Sequence, residues 1–402
     1  MTEALRIDLH GVSVGMLEYF PADEDYVFSF TPSYLALPRR EVLGQIFEDF
    51  RPRSIITSGM PAWFANLLPQ GRLRFLLANA VGVEIDDNFS LLRAIGTDLP
   101  GAVTATPSES RLPAHGDREH RTEQIPEAPS GLKFSLAGVQ LKLSIVEGER
   151  GLTVPVRGQN GRLIAKFDDP LYADLPSVEH ATLTWAGLTG LRTPRFRVTT
   201  IGEFVDLDPD FSGGNGTVFL IERFDRTGPS LIHRVHMEDF AQILDRPPGP
   251  PQYQGTVEQV VGVLRYLAPT DMEEFVRRVA FCVIAGNGDA HLKNWSVLYP
   301  GGSRRAELSP LYDLVSTIIY LPQDDMALSL GGTRDFAEVT VESFYSVAEA
   351  AGIDRLTVGG WVRDTCEAAL RVWGQAGEVL AFSAEQRTRI ERHLARLPLL
   401  QI

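Results

Sequence analysis

The 402-residue chain is 44% hydrophobic and 22% charged, and 52 Asp and Glu against 38 Lys and Arg leave a formal net charge of −14. That balance argues against a protein that grips nucleic acid mainly through phosphates, which needs a basic face, and suits one that meets a basic partner. No run of about 20 apolar residues marks a membrane span, and the start MTEALRIDLHG carries no signal core. Two cysteines, Cys282 and Cys366, make no disulfide framework, so a cytoplasmic protein is expected.

In chain order, strand-like runs at Ala4 to Leu9, Val12 to Tyr19 and Tyr26 to Phe30 precede helical patterns over 62–81 and 88–95, a small α/β unit spanning 1–104. A polar stretch rich in Pro, Ser and charge over 105–130 reads as a linker or loop. Strand runs LKFSLAG, VQLKLSIV, LTVPV and RLIAKF then predict an antiparallel sheet. A helix follows at 177–188, with SVEH shaped like a capping box although His180 stands in place of Glu. Strands FRVTTI and VFLIERF close a β-rich lobe over 131–235. From 236 to 402 the pattern is helical: MEDFAQIL, VEQVVGVLRYL, MEEFVRRVAFCVIAG and several helices beyond Val341. The fold class expected is α+β, with two lobes and an interlobe cleft.

The densest chemistry is Asn287-Gly288-Asp289-Ala290-His291-Leu292-Lys293-Asn294, between an apolar helix and a strand. Asp289 and Asn294 stand five positions apart, the spacing of the base and the Mg²⁺-binding Asn in the protein-kinase catalytic loop. An Asp there accepts a hydroxyl proton, and an amide oxygen is a neutral, hard Mg²⁺ ligand. By themselves these residues also fit a polar loop that merely ends a helix. In Pro310-Leu311-Tyr312-Asp313-Leu314 a single Asp sits among apolar residues, 19 positions after Asn294, as a second metal ligand would; an ordinary N-cap is the other reading. Lys166 in LIAKFDD and Glu179 on the next helix match the kinase Lys–Glu pair, or a solvent-facing strand Lys. Ser135, Gly138, Val139, Gln140 and Lys142 form a strand–turn–strand whose bend can approach phosphates, or an ordinary hairpin. FLIERFDR, with Glu222, Phe224 and Asp225, fits either an adenine-binding hinge or an edge strand. CxxC and H-E-x-x-H are absent.

Taken together, SLAGVQLKLSIV, LIAKF, FLIERFDR, HMEDFAQ, GNGDAHLKNWSV and PLYDLVST, in that order, resemble the HipA family of serine/threonine kinase toxins. GMLEYF, FANLLPQGRLR and NFSLLRAIGTDLPGAVT resemble its small N-terminal subdomain, so the resemblance covers about residues 8–330. It implies a bilobal, protein-kinase-like α+β fold with a β-rich N-lobe and an all-α C-lobe, using ATP and Mg²⁺. Asp289 would be the base, Asn294 and Asp313 the metal ligands, and Lys166 a phosphate contact. The backbone near Glu222 and Phe224 would hold adenine, and His291 and Lys293 would line the phosphate site. Ser135 aligns with the family's autophosphorylated serine. The implied partners are a HipB-like helix-turn-helix antitoxin, DNA only through it, and a protein substrate, an aminoacyl-tRNA synthetase in known members. Met237-Glu238-Asp239 departs from the family's Gln-Glu-Asp and puts one nucleotide contact in doubt. A catalytically weak module that binds an antitoxin–DNA complex, and a kinase of small molecules or RNA, are the alternative functions.

Overall fold

The computed structural model describes residues 3–49, 54–109, 141–148, 151–153, 161–205, 207, 216–228 and 233–401. The first unit is an antiparallel sheet in the order β4-β3-β2-β1-β5, built from β1 (Glu3–Leu9), β2 (Val12–Phe20), β3 (Asp25–Phe30), β4 (Ser54–Ser58) and β5 (Val103–Pro107). Short helices α1 (Pro32–Leu35), α2 (Gln45–Asp49) and α3 (Ala62–Ala65), with α4 (Gly71–Val81) and α5 (Asn88–Ile95), accompany it. Alternation along the strands puts Leu5, Ile7 and Leu9 into one core with Phe28, Phe64 and Phe89.

The single helix expected over 62–81 is two. Pro69 removes a backbone donor and biases Leu68 away from the helical region, so the chain breaks after Ala65 and resumes at Gly71. That break makes Asn66 the C-cap of α3.

The second sheet, β7-β6-β8-β10-β9, is antiparallel and comprises β6 (Lys142–Gly148), β7 (Gly151–Thr153), β8 (Leu163–Phe167), β9 (Phe196–Thr200) and β10 (Thr217–Glu222). Helix α6 (Leu175–Leu188) packs on it, burying Val178, Leu183 and Trp185. It starts two residues before the SVEH signal. Pro176 supplies the first-turn position and Asp174 the N-cap, so His180 has no capping role.

A two-stranded ribbon, β11 (Arg226–Thr227) with β12 (His233–Arg234), leads into the C-lobe. The MEDFAQIL run is not one helix. His236–Asp239 forms β13, which pairs with β14 (Ser296–Tyr299) and through it β15 (Glu307–Leu308). Only Phe240–Ile243 is helical (α7), started by a capping box in which Asp239 accepts from Gln242 N–H and Gln242 Oε1 accepts from Asp239 N–H. The C-lobe is therefore helical around a small sheet rather than all-α. Its helices are α8 (Val257–Leu267), α9 (Met272–Ala285), α10 (Tyr345–Ala351), α11 (Arg355–Gln375) and α12 (Ala384–Leu394). Helix α9 is charged at Glu273, Glu274, Arg277 and Arg278 but apolar in its second half, and it runs buried through the main core against α11. No helix among the described residues is long and apolar enough to cross a membrane.

Candidate active site

Helix α9 ends at Gly286, whose φ of +63° is the left-handed C-cap that glycine tolerates best. Two residues on, a Cβ at Gly288 would come within 2.7 Å of the Asp325 main-chain carbonyl, so glycine is what fits that turn. Gly288 N–H donates to Thr317 Oγ1 at 2.8 Å, which ties the loop to the segment after Asp313. Asn287 Oδ1 accepts from Asp289 N–H at 3.0 Å, and Asn294 Nδ2 donates to Asp289 C=O at 2.7 Å. The two motif residues thus brace one another. With its nitrogen committed, Asn294 keeps Oδ1 for a ligand, and nothing among the described residues donates to that oxygen. The buried Asp289 carboxylate accepts at Oδ1 from Tyr253 O–H at 2.9 Å.

Across the cleft, β8 and α6 present Lys166 and Glu179, Nζ to Oε1 at 2.5 Å, both buried. Lys166 also donates to Asp313 Oδ1, and Lys142 Nζ lies 3.5 Å from Asp313 Oδ2. Burial alone would lower the Lys166 pKa; the two carboxylates reverse that and hold it above the ordinary lysine value. Burial alone would raise that of Asp313, but Lys142 and Lys166 drive it well below the carboxylate range, so Asp313 is ionised. Asp313 adopts φ +50°, a sparsely populated conformation for a residue with a side chain, of the kind that clusters at functional sites. Its neighbour Tyr312 donates to Lys293 C=O at 2.7 Å and packs on Phe224 at 5.3 Å between ring centroids. One tyrosine, next to Asp313, therefore links the loop over 287–294 to Phe224.

A family model described as the HipA-like C-terminal domain matches residues 134–373, and one described as the HipA N-terminal domain matches 5–106. This chain belongs to the HipA family. Among HipA relatives, the Sinorhizobium fredii protein named "Putative kinase Y4dM" is 35% identical over 97% of this chain and 96% of its own. The "Serine/threonine-protein kinase toxin HipA" of Shewanella oneidensis is 26% identical over 73% and 70%. The solved Shewanella oneidensis complex of HipA, HipB and operator DNA matches with a TM-score of 0.70 at 19% identity, over 98% of this chain and 96% of that one. That likeness shows the α+β HipA fold.

Several HipA-derived assignments land elsewhere than the motifs imply. Asp225 is committed within the protein: its buried carboxylate bonds Arg223 and Arg226 and accepts from Gly101 N–H at 2.8 Å, joining the segment after β10 to the N-terminal domain. Lys293 does not present a free ammonium to a phosphate. It donates to Asn66 C=O at 2.8 Å and Asn66 Oδ1 at 3.0 Å, and pairs with Asp239 at 3.3 Å. His291 is neutral, since burial and the Lys293 charge push it down to about 3, and Nδ1 accepts from Lys293 N–H at 3.2 Å. Its Nε2–H can donate a hydrogen bond, but the ring brings no charge. The Glu222 carboxylate pairs with Arg162 at 2.9 Å. Phe224 N–H has no acceptor among the described residues. Met237, in β13, lies outside the contacts of the site, while Glu238 beside it is buried against the N-terminal domain. Ser135, Gly138, Val139 and Gln140 lie outside the described residues.

Asn66, Asp239 and Tyr312 stand inside quoted motifs without a bonding role assigned to their side chains, and Tyr253 stands in none. Asp239 alone carried a local signal, the capping box Asp-x-x-Gln. Tyr253 follows a proline run with no periodicity, and nothing local marks it.

Proposed function

We propose that this chain is an ATP- and Mg²⁺-dependent serine/threonine protein kinase and the toxin of a HipBA-like pair. Its partner would be a HipB-like helix-turn-helix antitoxin, with DNA engaged only through that antitoxin. The acceptors would be a protein hydroxyl, with an aminoacyl-tRNA synthetase the first candidate, and the chain's own Ser135. The cytoplasm, where ATP and such targets are found, is the setting. The observation that carries the reading is the Lys166 ammonium shared between Glu179 and Asp313, facing a loop that holds Asp289 and Asn294 five residues apart.

The residues fit Mg²⁺: Asp313 is ionised, Asn294 offers a neutral oxygen, and hard oxygens are what the ion takes. Bound there, it would neutralise charge on the phosphates. The protein's own part is positional and electrostatic. Phe224 N–H and the Glu222 carbonyl hold adenine at the hinge. Lys166 and Lys142 attract the phosphates, and Asp289 takes the acceptor's proton as its oxygen attacks phosphorus.

Incubation with γ-labelled ATP and Mg²⁺ tests the reading. Label is expected on the chain itself and on a susceptible target. Asp289→Ala should reduce transfer by about 10³-fold or more while ATP binding stays near wild type. Absence of both label and nucleotide turnover in the wild type would sink the kinase assignment.

A further inference from the structure

Tyr253 lies outside every motif that marks the site, yet its hydroxyl donates to Asp289 Oδ1 at 2.9 Å. Its ring stands edge-on to His291, 4.8 Å between centroids. The approach to it reads Pro247-Pro248-Gly249-Pro250-Pro251-Gln252. Four prolines fix four φ angles, so this segment loses little conformational entropy in keeping one path. Pro250–Tyr253 closes a 3₁₀ turn, and Arg334 Nη2 donates to the Tyr253 carbonyl at 2.6 Å. Gln252 is buried, within 3.4 Å of Gln70 of the N-terminal domain. A stiff arm, anchored at its tip, thus delivers one hydroxyl to one oxygen of the catalytic carboxylate.

We infer that Tyr253 is a positioning residue for phosphoryl transfer. Its O–H engages Oδ1 and fixes the rotation of the Asp289 carboxylate, which turns Oδ2 toward the acceptor. The inference rests on Asp289 being the base. In the step, the acceptor's hydroxyl proton passes to Asp289 Oδ2 while its oxygen bonds to the γ-phosphorus. The bond from that phosphorus to the β–γ bridging oxygen breaks, and ADP leaves with the electron pair. Tyr253 keeps its own proton throughout. Hydrogen bonds to a charged partner are the strong ones, and a carboxylate already held in the productive rotamer need not be ordered at each turnover.

The test uses the intact protein with γ-labelled ATP and Mg²⁺, reading label on the chain and phosphate released to water. Tyr253→Phe keeps the ring against His291 and removes only the hydroxyl. Its kcat should fall about 10- to 100-fold, the loss of one hydrogen bond to a charged group, with KM for ATP unchanged. Tyr253→Ala, which also removes the ring, should lose at least as much in kcat. Wild-type kcat in Tyr253→Phe would overturn the inference, because only the ring's packing would then matter. An equal change in KM and none in kcat would do so too, as would label on the Tyr253 oxygen, which would make it an acceptor. A wild-type chain that turned over no ATP would remove the kinase reading itself; an active wild type beside an unaffected Tyr253→Phe removes this inference alone.

Discussion

At the scale of single residues, Asp225 shows how a charge beside a hinge can be structural. It is buried between Arg223 and Arg226, and Asp98 of the N-terminal domain pairs with both arginines at 3.0 Å. The two guanidinium groups together overcome the burial that would otherwise raise the Asp225 pKa, so it is ionised. Removing one member of such a network leaves buried charge without compensation. Asp225→Ala should therefore lose about 3–5 kcal/mol in chemical denaturation. A variant of wild-type stability with a raised KM for ATP would instead return Asp225 to the nucleotide. His291 illustrates the opposite outcome. Burial keeps it uncharged across the physiological range, so the only cations that the described residues bring to the Asp313 side are Lys142 and Lys166.

At the scale of elements, the loop over 287–294 is held in part by the N-terminal domain. Asn66, buried at the break between α3 and α4, binds Lys293 through two oxygens and donates its own amide hydrogens to Ala62 C=O at 2.9 Å and Arg246 C=O at 2.7 Å. Asp239, whose side chain caps α7, takes the remaining reach of Lys293. Two residues, one from each of two domains, thus anchor Lys293 within the loop between Asp289 and Asn294. Asn66→Ala leaves Lys293 the main-chain carbonyl and Asp239, removes the side-chain oxygen and both amide donations, and should cost about 1–3 kcal/mol of stability. It should also lower kcat several-fold without changing ATP binding. Unaltered turnover in that variant, read with labelled ATP, would show that the loop keeps its shape unaided.

At the scale of the whole molecule, Glu238 links the N-terminal domain to the C-lobe. Fully buried, it accepts from Trp63 Nε1–H at 2.9 Å, Tyr299 O–H at 2.7 Å and Gln45 N–H at 3.0 Å. Burial outweighs these donors and pushes its carboxyl up to about 7 from 4.5. An acid with a raised folded-state pKa adds stability that is full below its unfolded value and lost as pH rises through the folded one. At about 1.4 kcal/mol per pH unit, that interval is worth about 3 kcal/mol. Glu238→Gln should therefore gain on the wild type in thermal unfolding as pH rises from about 5 to about 8; a pH-independent difference would argue against it. Much of this molecule was legible in the chain alone. Strand alternation at Leu5, Ile7 and Leu9, the apolar run of α9, and the loop holding Asp289 and Asn294 are local patterns, set by which side chains neighbour which along the backbone. MEDFAQIL was misleading, because β13 exists only through its pairing with β14, about 60 residues away in sequence. Likewise, sequence determined that Lys293, Asp225 and Tyr253 are an ammonium, a carboxylate and a phenol. Whether each would meet a phosphate, two arginines or the catalytic carboxylate was decided by tertiary packing, since an ionisable group's partners are those that folding brings within a few ångströms.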